Sequence, residues 1–244
     1  DGVLWSAGFA VPDTPANANP VDVMNLSLGI GNACSAFEQE VYDAVINAGV
    51  VVVVAAGNAN ANASAFSPAS CSGVITVGAT DLVGDRAPYA NYGTRVDVMS
   101  PGGDVSVDRN GDGYADGVLS LGYDDIVGQF YFPYLQGTSM ASPHVAGVVS
   151  LMKAIVPQLS AAETVSILRN TARPLDAIAC QRPNAVECGA GLIDAHAALQ
   201  ALSDPTPPGG GLVSLTPNPA DFGSSQIELS ISMDNLSGFA LDWS

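Results

Sequence analysis

Residues 50–56 are five valines followed by two alanines, with no polar residue among them. An unbroken β-branched run of that length predicts a strand buried on both faces, as in a parallel sheet covered by helices. Further strands are predicted at 21–28 (Val-Asp-Val-Met-Asn-Leu-Ser-Leu), 74–79 and 95–99. Between them the apolar period changes from two to about 3.6. Phe37, Val41, Ala44, Val45 and Ala48 share one helix face, and Gly49 closes that helix. Residues 1–8 read as the end of another helix, with Trp5 on its apolar side and Gly8 after it. Ser160-Ala161-Ala162-Glu163 is a capping box that opens a helix to about Asn170, and a last helix covers 193–202.

From Ser139 to about Val156 the chain is apolar nearly all round, which predicts a central buried helix. Strands alternating with helices imply an α/β fold: a doubly wound, mostly parallel sheet with helices on both faces. Ligands of such sheets bind beyond the carboxyl ends of the strands. Ser27-Leu28-Gly29, Ala55-Ala56-Gly57-Asn58 and Gly137-Thr138-Ser139 all fall at such ends, or at the start of the next helix, and are expected to converge.

The composition changes at Ser203, where Asp-Pro-Thr-Pro-Pro-Gly-Gly-Gly begins. We therefore expect one domain over 1–202, a Pro/Gly linker over 203–211 and the start of a β-rich accessory module over 212–244, with an alternating strand at 226–233. The 244 residues are 48% hydrophobic and 13% charged, which excludes a disordered chain. Seven basic residues against 24 acidic ones give a net charge of −17, which repels phosphate backbones and anionic membranes, so no nucleic-acid partner is expected. No apolar run is long enough to span a bilayer. The chain opens on Asp1 and is expected to start inside the domain, so that the sheet is incomplete on its N-terminal side. Cys34, Cys71, Cys180 and Cys188 lack metal-ligand spacing, and an even number of loop cysteines points to disulfides and an oxidising, secreted setting. Four cysteines allow three pairings, among which the residues themselves do not choose.

Gly137-Thr138-Ser139 could be no more than a helix cap. A hydroxyl at a helix N-terminus is also where a nucleophilic serine is served best, because unpaired amides and the positive dipole end favour an oxyanion. The α/β-hydrolase elbow wants Gly two residues after its serine, and here that residue is Ala141, which disfavours a serine esterase.

The eleven residues Gly-Thr-Ser-Met-Ala-Ser-Pro-His-Val-Ala-Gly, 137–147, resemble the active-site serine signature of the subtilisin-like serine proteases throughout. The resemblance covers about residues 1–202. It implies a serine endopeptidase in which Ser139 attacks the scissile carbonyl, and Asn58, with the Ser139 amide, holds the oxyanion. It makes Ser27, Leu28, Gly29, Ala55, Ala56 and Gly57 the backbone segments that pair with an extended peptide or protein substrate. Ile30 stands where the family often has a second glycine. The resemblance further implies a Cys34–Cys71 bridge and a cis bond before Pro68. Subtilases order their triad Asp, His, Ser. The Asp and His are thus expected upstream of residue 1, on an N-terminal remainder of the catalytic domain. His144 follows Ser139 on its own helix and is expected to serve core packing with a hydrogen bond; His196 is expected to be a surface or packing residue. The chain alone is expected to be inactive, and a fold that has lost its catalysis and only binds is the alternative.

Asp108, Asn110, Asp112, Tyr114 and Asp116 place oxygen ligands at positions 1, 3, 5, 7 and 9 of a calcium loop, with Gly113 at the turn. Leu119 replaces the usual bidentate Glu, so a lone structural Ca2+ loop is expected rather than an EF-hand.

Overall fold

The computed structural model describes residues 1–202. The expected linker, accessory module and 226–233 strand lie outside the described residues. Four parallel strands form the sheet in the order β1 (Val23–Leu26), β2 (Val51–Ala55), β3 (Ile75–Thr80) and β4 (Val98–Pro101). All four are shorter than or displaced from the expected runs, because hydrogen-bonded pairing ends before the apolar pattern does.

The valine run shows how the layers arise. Val51 and Val53 face one core with Ile75, Val77 and Val98, under the helices α3 (Thr138–Ile155) and α4 (Ala161–Thr171). Val52 and Val54 face the opposite core with Tyr42 and Val45 of α2 (Ala36–Asn47), against which α1 (Gly2–Ser6) also packs. Side chains alternate along a strand, so only an all-apolar strand can satisfy two cores. All five residues of β2 are buried.

Both long amphipathic helices start in capping boxes, Ser35 with Glu38 and Ser160 with Glu163. A short helix α5 (Ala177–Cys180) precedes α6 (Ala195–Gln200), whose N-terminus is capped by Asp194 through the Ala197 amide at 2.9 Å. Cys34 is bonded to Cys71 and Cys180 to Cys188. The Ser67–Pro68 peptide is cis.

Two features differ from the sequence expectation. Between β4 and α3 the chain forms two small antiparallel pairs: β5 (Val118–Leu119) with β8 (Tyr134–Leu135), and β6 (Gly122–Asp124) with β7 (Gln129–Tyr131). Their aromatic residues are mostly exposed, so no buried face imposed a readable period. The helix α3, expected to be buried all round, is buried at Ala141, Val145, Val148, Val149 and Met152 but exposed at Gly147, Leu151 and Ile155. These last three lie on one stripe, which among the described residues has no covering element. Strand β1 is likewise an edge strand among the described residues, paired with β2 alone.

Candidate active site

Helix α3 begins at Gly137, whose φ of 143° suits a residue without a Cβ and leaves the N-cap without any side-chain bond. Neither Thr138 nor Ser139 therefore acts as a cap. The Thr138 hydroxyl donates to Asn58 Oδ1 at 2.9 Å, and the Thr138 amide donates to the same oxygen at 2.9 Å. The Gly57 amide donates in turn to Thr138 Oγ1 at 3.1 Å. An oxygen that accepts from an N–H must be the carbonyl oxygen, so the Asn58 amide orientation is fixed and Nδ2 is its donor end. The Ser139 amide belongs to the first turn of α3, where no intrahelical acceptor exists.

Ser139 Oγ lies 3.3 Å from the Ser27 carbonyl oxygen, to which it donates. Ser27 Oγ donates to the Ser139 carbonyl at 2.8 Å, sits 3.0 Å from Ser142 Oγ and accepts from Asn25 Nδ2 at 3.0 Å. The end of β1 is thereby tied to the first turn of α3. A cleft of about 340 Å³ runs between residues 27–31 and 55–58, and Ser139 and Asn58 both line it. Ser27, Leu28, Gly29, Ala55, Ala56 and Gly57 line it as well. The structure brings all eight residues of the expected catalytic and substrate-binding set to one place.

Three supporting residues escape a sequence reading. Asn91 is fully buried; its Nδ2 donates to the Ala56 carbonyl at 2.8 Å, while its Oδ1 accepts from the Ala59 and Ala61 amides at 2.9 and 3.0 Å. It holds the turn that presents Asn58. The Tyr89 hydroxyl accepts from the Gly137 amide at 2.9 Å and reaches the Gly103 carbonyl at 2.7 Å, steadying the start of α3. Burial pushes the Tyr89 hydroxyl well above the ordinary tyrosine pKa, so it stays protonated and able to donate. Phe66 lines the cleft opposite residues 27–31. The only sequence signal for the first two is an Asn and a Tyr in a loop, and this signal is far too common to select them.

His144 differs from its expected core role: it is exposed, and its Nδ1 lies 2.7 Å from the Met140 carbonyl oxygen one turn back. That bond turns the imidazole toward its own helix. His196 is exposed on α6. Among the described residues no imidazole reaches Ser139 Oγ.

The loop over 108–116 folds around its own amides. Asp108 accepts from Gly111 and Gly113, Asn110 Oδ1 from Asp112, Asp112 Oδ1 from Tyr114, and Asp116 Oδ2 from Arg109, at 2.8–3.1 Å. Arg109 anchors the loop to buried Asp81 by an ion pair at 3.1 Å. Among the described residues no three His, Cys, Asp or Glu side chains come together in an arrangement that could hold a metal ion. The donor set of this loop is nonetheless all oxygen, which suits a hard cation.

The Subtilase family pattern matches residues 5–201. An extracellular protease of Xanthomonas campestris is 42% identical over 202 residues, covering 82% of this chain and 32% of that protein. Subtilisin DY of Bacillus licheniformis is 37% identical over 188 residues, covering 76% and 59%. Among solved structures, a protease of Pseudoalteromonas arctica superposes with a TM-score of 0.73 at 40% identity, covering 83% of this chain and 57% of that one. The chain thus spans from about a third to less than two thirds of the relatives it matches. A serine motif at the head of α3, an asparagine locked onto it by Thr138, and a match over four fifths of its length place this chain in the subtilase family.

Proposed function

We propose that the whole protein of which these residues are part is an extracellular serine endopeptidase, with Ser139 as nucleophile and Asn58 as an oxyanion donor. The observation that carries this reading is the single cleft in which the Ser139 hydroxyl, the first-turn amides of α3 and the anchored Asn58 carboxamide meet. Ser139 Oγ bonds to the carbonyl carbon of a peptide lying along 27–29 and 55–57. The π pair moves onto oxygen, where the Ser139 amide and Asn58 Nδ2 receive it. A base takes the hydroxyl proton and returns it to the leaving amine as the C–N bond breaks; water then releases the acyl group by the same route.

The base and its orienting carboxylate are assigned to a segment upstream of Asp1, which packs against the edge of β1 and the open Gly147, Leu151 and Ile155 stripe of α3. The end of β1 touches the Ser139 turn, and a paired edge and a covered apolar stripe are what a stable domain requires. Secretion agrees with two disulfides and with relatives named as extracellular proteases. Among the described residues no helix is long and apolar enough to cross a membrane.

The test is turnover of casein and of chromogenic peptides by the whole protein, together with fluorophosphonate labelling. Ser139→Ala should abolish both, and the isolated 244-residue chain should show no turnover. Labelling that persists in Ser139→Ala would move the nucleophile elsewhere.

We propose that the loop over 108–116 takes up one structural Ca2+ by drawing together Asp108, Asn110, Asp112, the Tyr114 carbonyl and Asp116, whose side chains bond to loop amides in the metal-free arrangement. Each carboxylate keeps lone pairs beyond those its loop amides use. Calcium should raise the melting temperature and EDTA should lower it, and Asp112→Asn should remove most of that difference. A melting curve indifferent to EDTA would remove the metal from this loop.

A further inference from the structure

We infer that Arg86 is a positioning residue of the reaction, which acts through Asn60 to hold the turn that presents Asn58. This rests on the peptidase reading above and adds to it a buried residue that does not line the cleft. Asn60 lies two positions after Asn58 and has a φ of 47°. A residue with a Cβ keeps that left-handed conformation only where its surroundings hold it, and such residues cluster at functional sites. Two contacts hold Asn60. Its amide donates to the Tyr89 carbonyl at 2.8 Å, and its Oδ1 accepts from Arg86 Nη1 at 3.0 Å. The rest of the turn is fastened to the same stretch of chain. Asn91 Oδ1 takes the Ala59 and Ala61 amides, the Asn91 amide donates to the Gly57 carbonyl at 2.9 Å, and the Tyr92 amide donates to the Ala61 carbonyl at 3.0 Å. Asn58 bonds instead to Thr138. Its backbone is therefore set from both sides by residues 86–92, and its side chain is left for the cleft.

Arg86 is 3% exposed, and among the described residues no carboxylate comes within ion-pair distance of it. A buried guanidinium without a counter-ion is costly, so ion pairing is not what it supplies. What it supplies is reach. Nη1 donates to the Ala90 carbonyl at 2.6 Å as well as to Asn60, while Nε donates in another direction, to the Cys180 carbonyl at 2.9 Å. The Tyr92 ring centroid lies 5.5 Å from Cζ and offers its face to the charge. The far anchor is firm. Cys180 ends α5, is fully buried and is bridged to Cys188. The Arg86 amide donates to the Ala179 carbonyl at 2.8 Å, and Gln181 Nε2 donates to the Arg86 carbonyl at 3.0 Å. The planar fork thus connects a disulfide-closed loop with the left-handed residue beyond the oxyanion donor. A lysine ammonium is a single point on a flexible stem and cannot serve both directions at once. Oxyanion donors act only within a narrow range of distance, so a turn that loosens behind Asn58 costs rate and leaves substrate binding unchanged.

The experiment measures kcat and KM of the whole protein on a chromogenic peptide, for Arg86→Lys, Asn60→Gly and Asn60→Asp. The first two are also made in the Asn58→Ala background. Glycine takes up the left-handed conformation freely but offers Arg86 no acceptor, whereas aspartate tolerates that conformation and keeps one. Arg86→Lys and Asn60→Gly should each lower kcat by about tenfold with KM changed less than about twofold. Asn60→Asp should recover most of the loss seen in Asn60→Gly. In the Asn58→Ala background neither substitution should lower kcat by more than about twofold further, because the group being positioned is gone. A general loss of stability would instead add to the Asn58→Ala effect. If Arg86→Lys fails to fold, the two Asn60 variants decide alone. An Asn60→Gly kcat within about twofold of wild type, a loss of full size that persists without Asn58, an effect on KM alone, or an Asn60→Asp loss equal to that of Asn60→Gly overturns the role of Arg86. Each of those results leaves the peptidase reading intact. Absence of turnover in the wild-type protein overturns the peptidase reading, and this inference with it.

Discussion

Asn58 Oδ1 accepts both the amide and the hydroxyl of Thr138, each at 2.9 Å. A carboxamide is planar, so fixing its oxygen also fixes the direction of Nδ2, and Asn58 and Ser139 both line the cleft. The end of β2 and the start of α3 thus form one device, and Thr138 is its positioning residue. In the whole protein, Asn58→Ala should lower kcat by about 10²–10³ with KM little changed, the size of effect that removal of an oxyanion donor has in subtilisin. Thr138→Val removes one anchor and should lower kcat by about tenfold, again sparing KM. A rise in KM at constant kcat would make the Asn58 contact one of ground-state binding rather than of oxyanion stabilisation.

The Cys34–Cys71 bridge encloses a sequence separation of 37, joining the loop after β1 to the loop before β3. Replacing both cysteines by alanine should lower stability by about 3–4 kcal/mol, read from the urea midpoint together with the m-value, which should rise as the unfolded chain loses its cross-link. A midpoint that does not move would mean that the loops are held by their hydrogen bonds alone.

Glu38 has its carboxyl held below the ordinary 4.5 by hydrogen bonds from Ser67 first and then from Ser35. A depressed folded-state pKa contributes stability above the unfolded value and loses it as pH falls through the folded one. Glu38→Gln keeps an amide acceptor and the site is well solvated, so it should cost less than about 1 kcal/mol near neutrality, and the gap to wild type should close below about pH 4.5. A gap that is constant across that window would make the effect steric.

Asp81 behaves in the opposite sense. Burial raises its carboxyl pKa, and Arg109 opposes the rise with an ion pair whose side chains are 42% and 1% exposed. The contact lacks hydrogen-bond alignment, since Asp81 Oδ2 has no hydrogen-bond partner. A raised carboxyl pKa is a penalty on the folded state above that pKa, relieved as pH falls through it. Arg109→Ala should enlarge the penalty, costing about 1–3 kcal/mol at neutral pH, less than a fully buried pair because Arg109 is partly solvated. The loss should shrink in acid. Thermal melts of both proteins from neutral to acid pH would test this, and a loss that grew in acid would contradict the burial of an ionised Asp81.

Much of the fold was legible because its determinants are local. The run at 50–56 has no polar residue, and no arrangement other than a strand between two apolar layers suits it. The capping box at Ser160 and Glu163 needs only residues three apart, and the structure contains it. The Ser139 motif and Asn58 could be read because short stretches carry them. The hairpin region at 118–135 could not, because its apolar side chains are exposed and follow no buried face.

What the sequence determined by itself was therefore the identity of the chemical groups and the layers that carry them. Tertiary structure decided which groups touch. Thr138 could be read as a cap and instead anchors Asn58 across 80 positions; Asn91 carries no local signal and holds the turn at 56–61 from inside the core. Phe66, which no local pattern marks, lies between two glycines from separate strand ends. Such contacts depend on where the loops after β1, β2 and β4 meet in space. That meeting is fixed by sheet register and helix packing, which no local stretch of sequence contains.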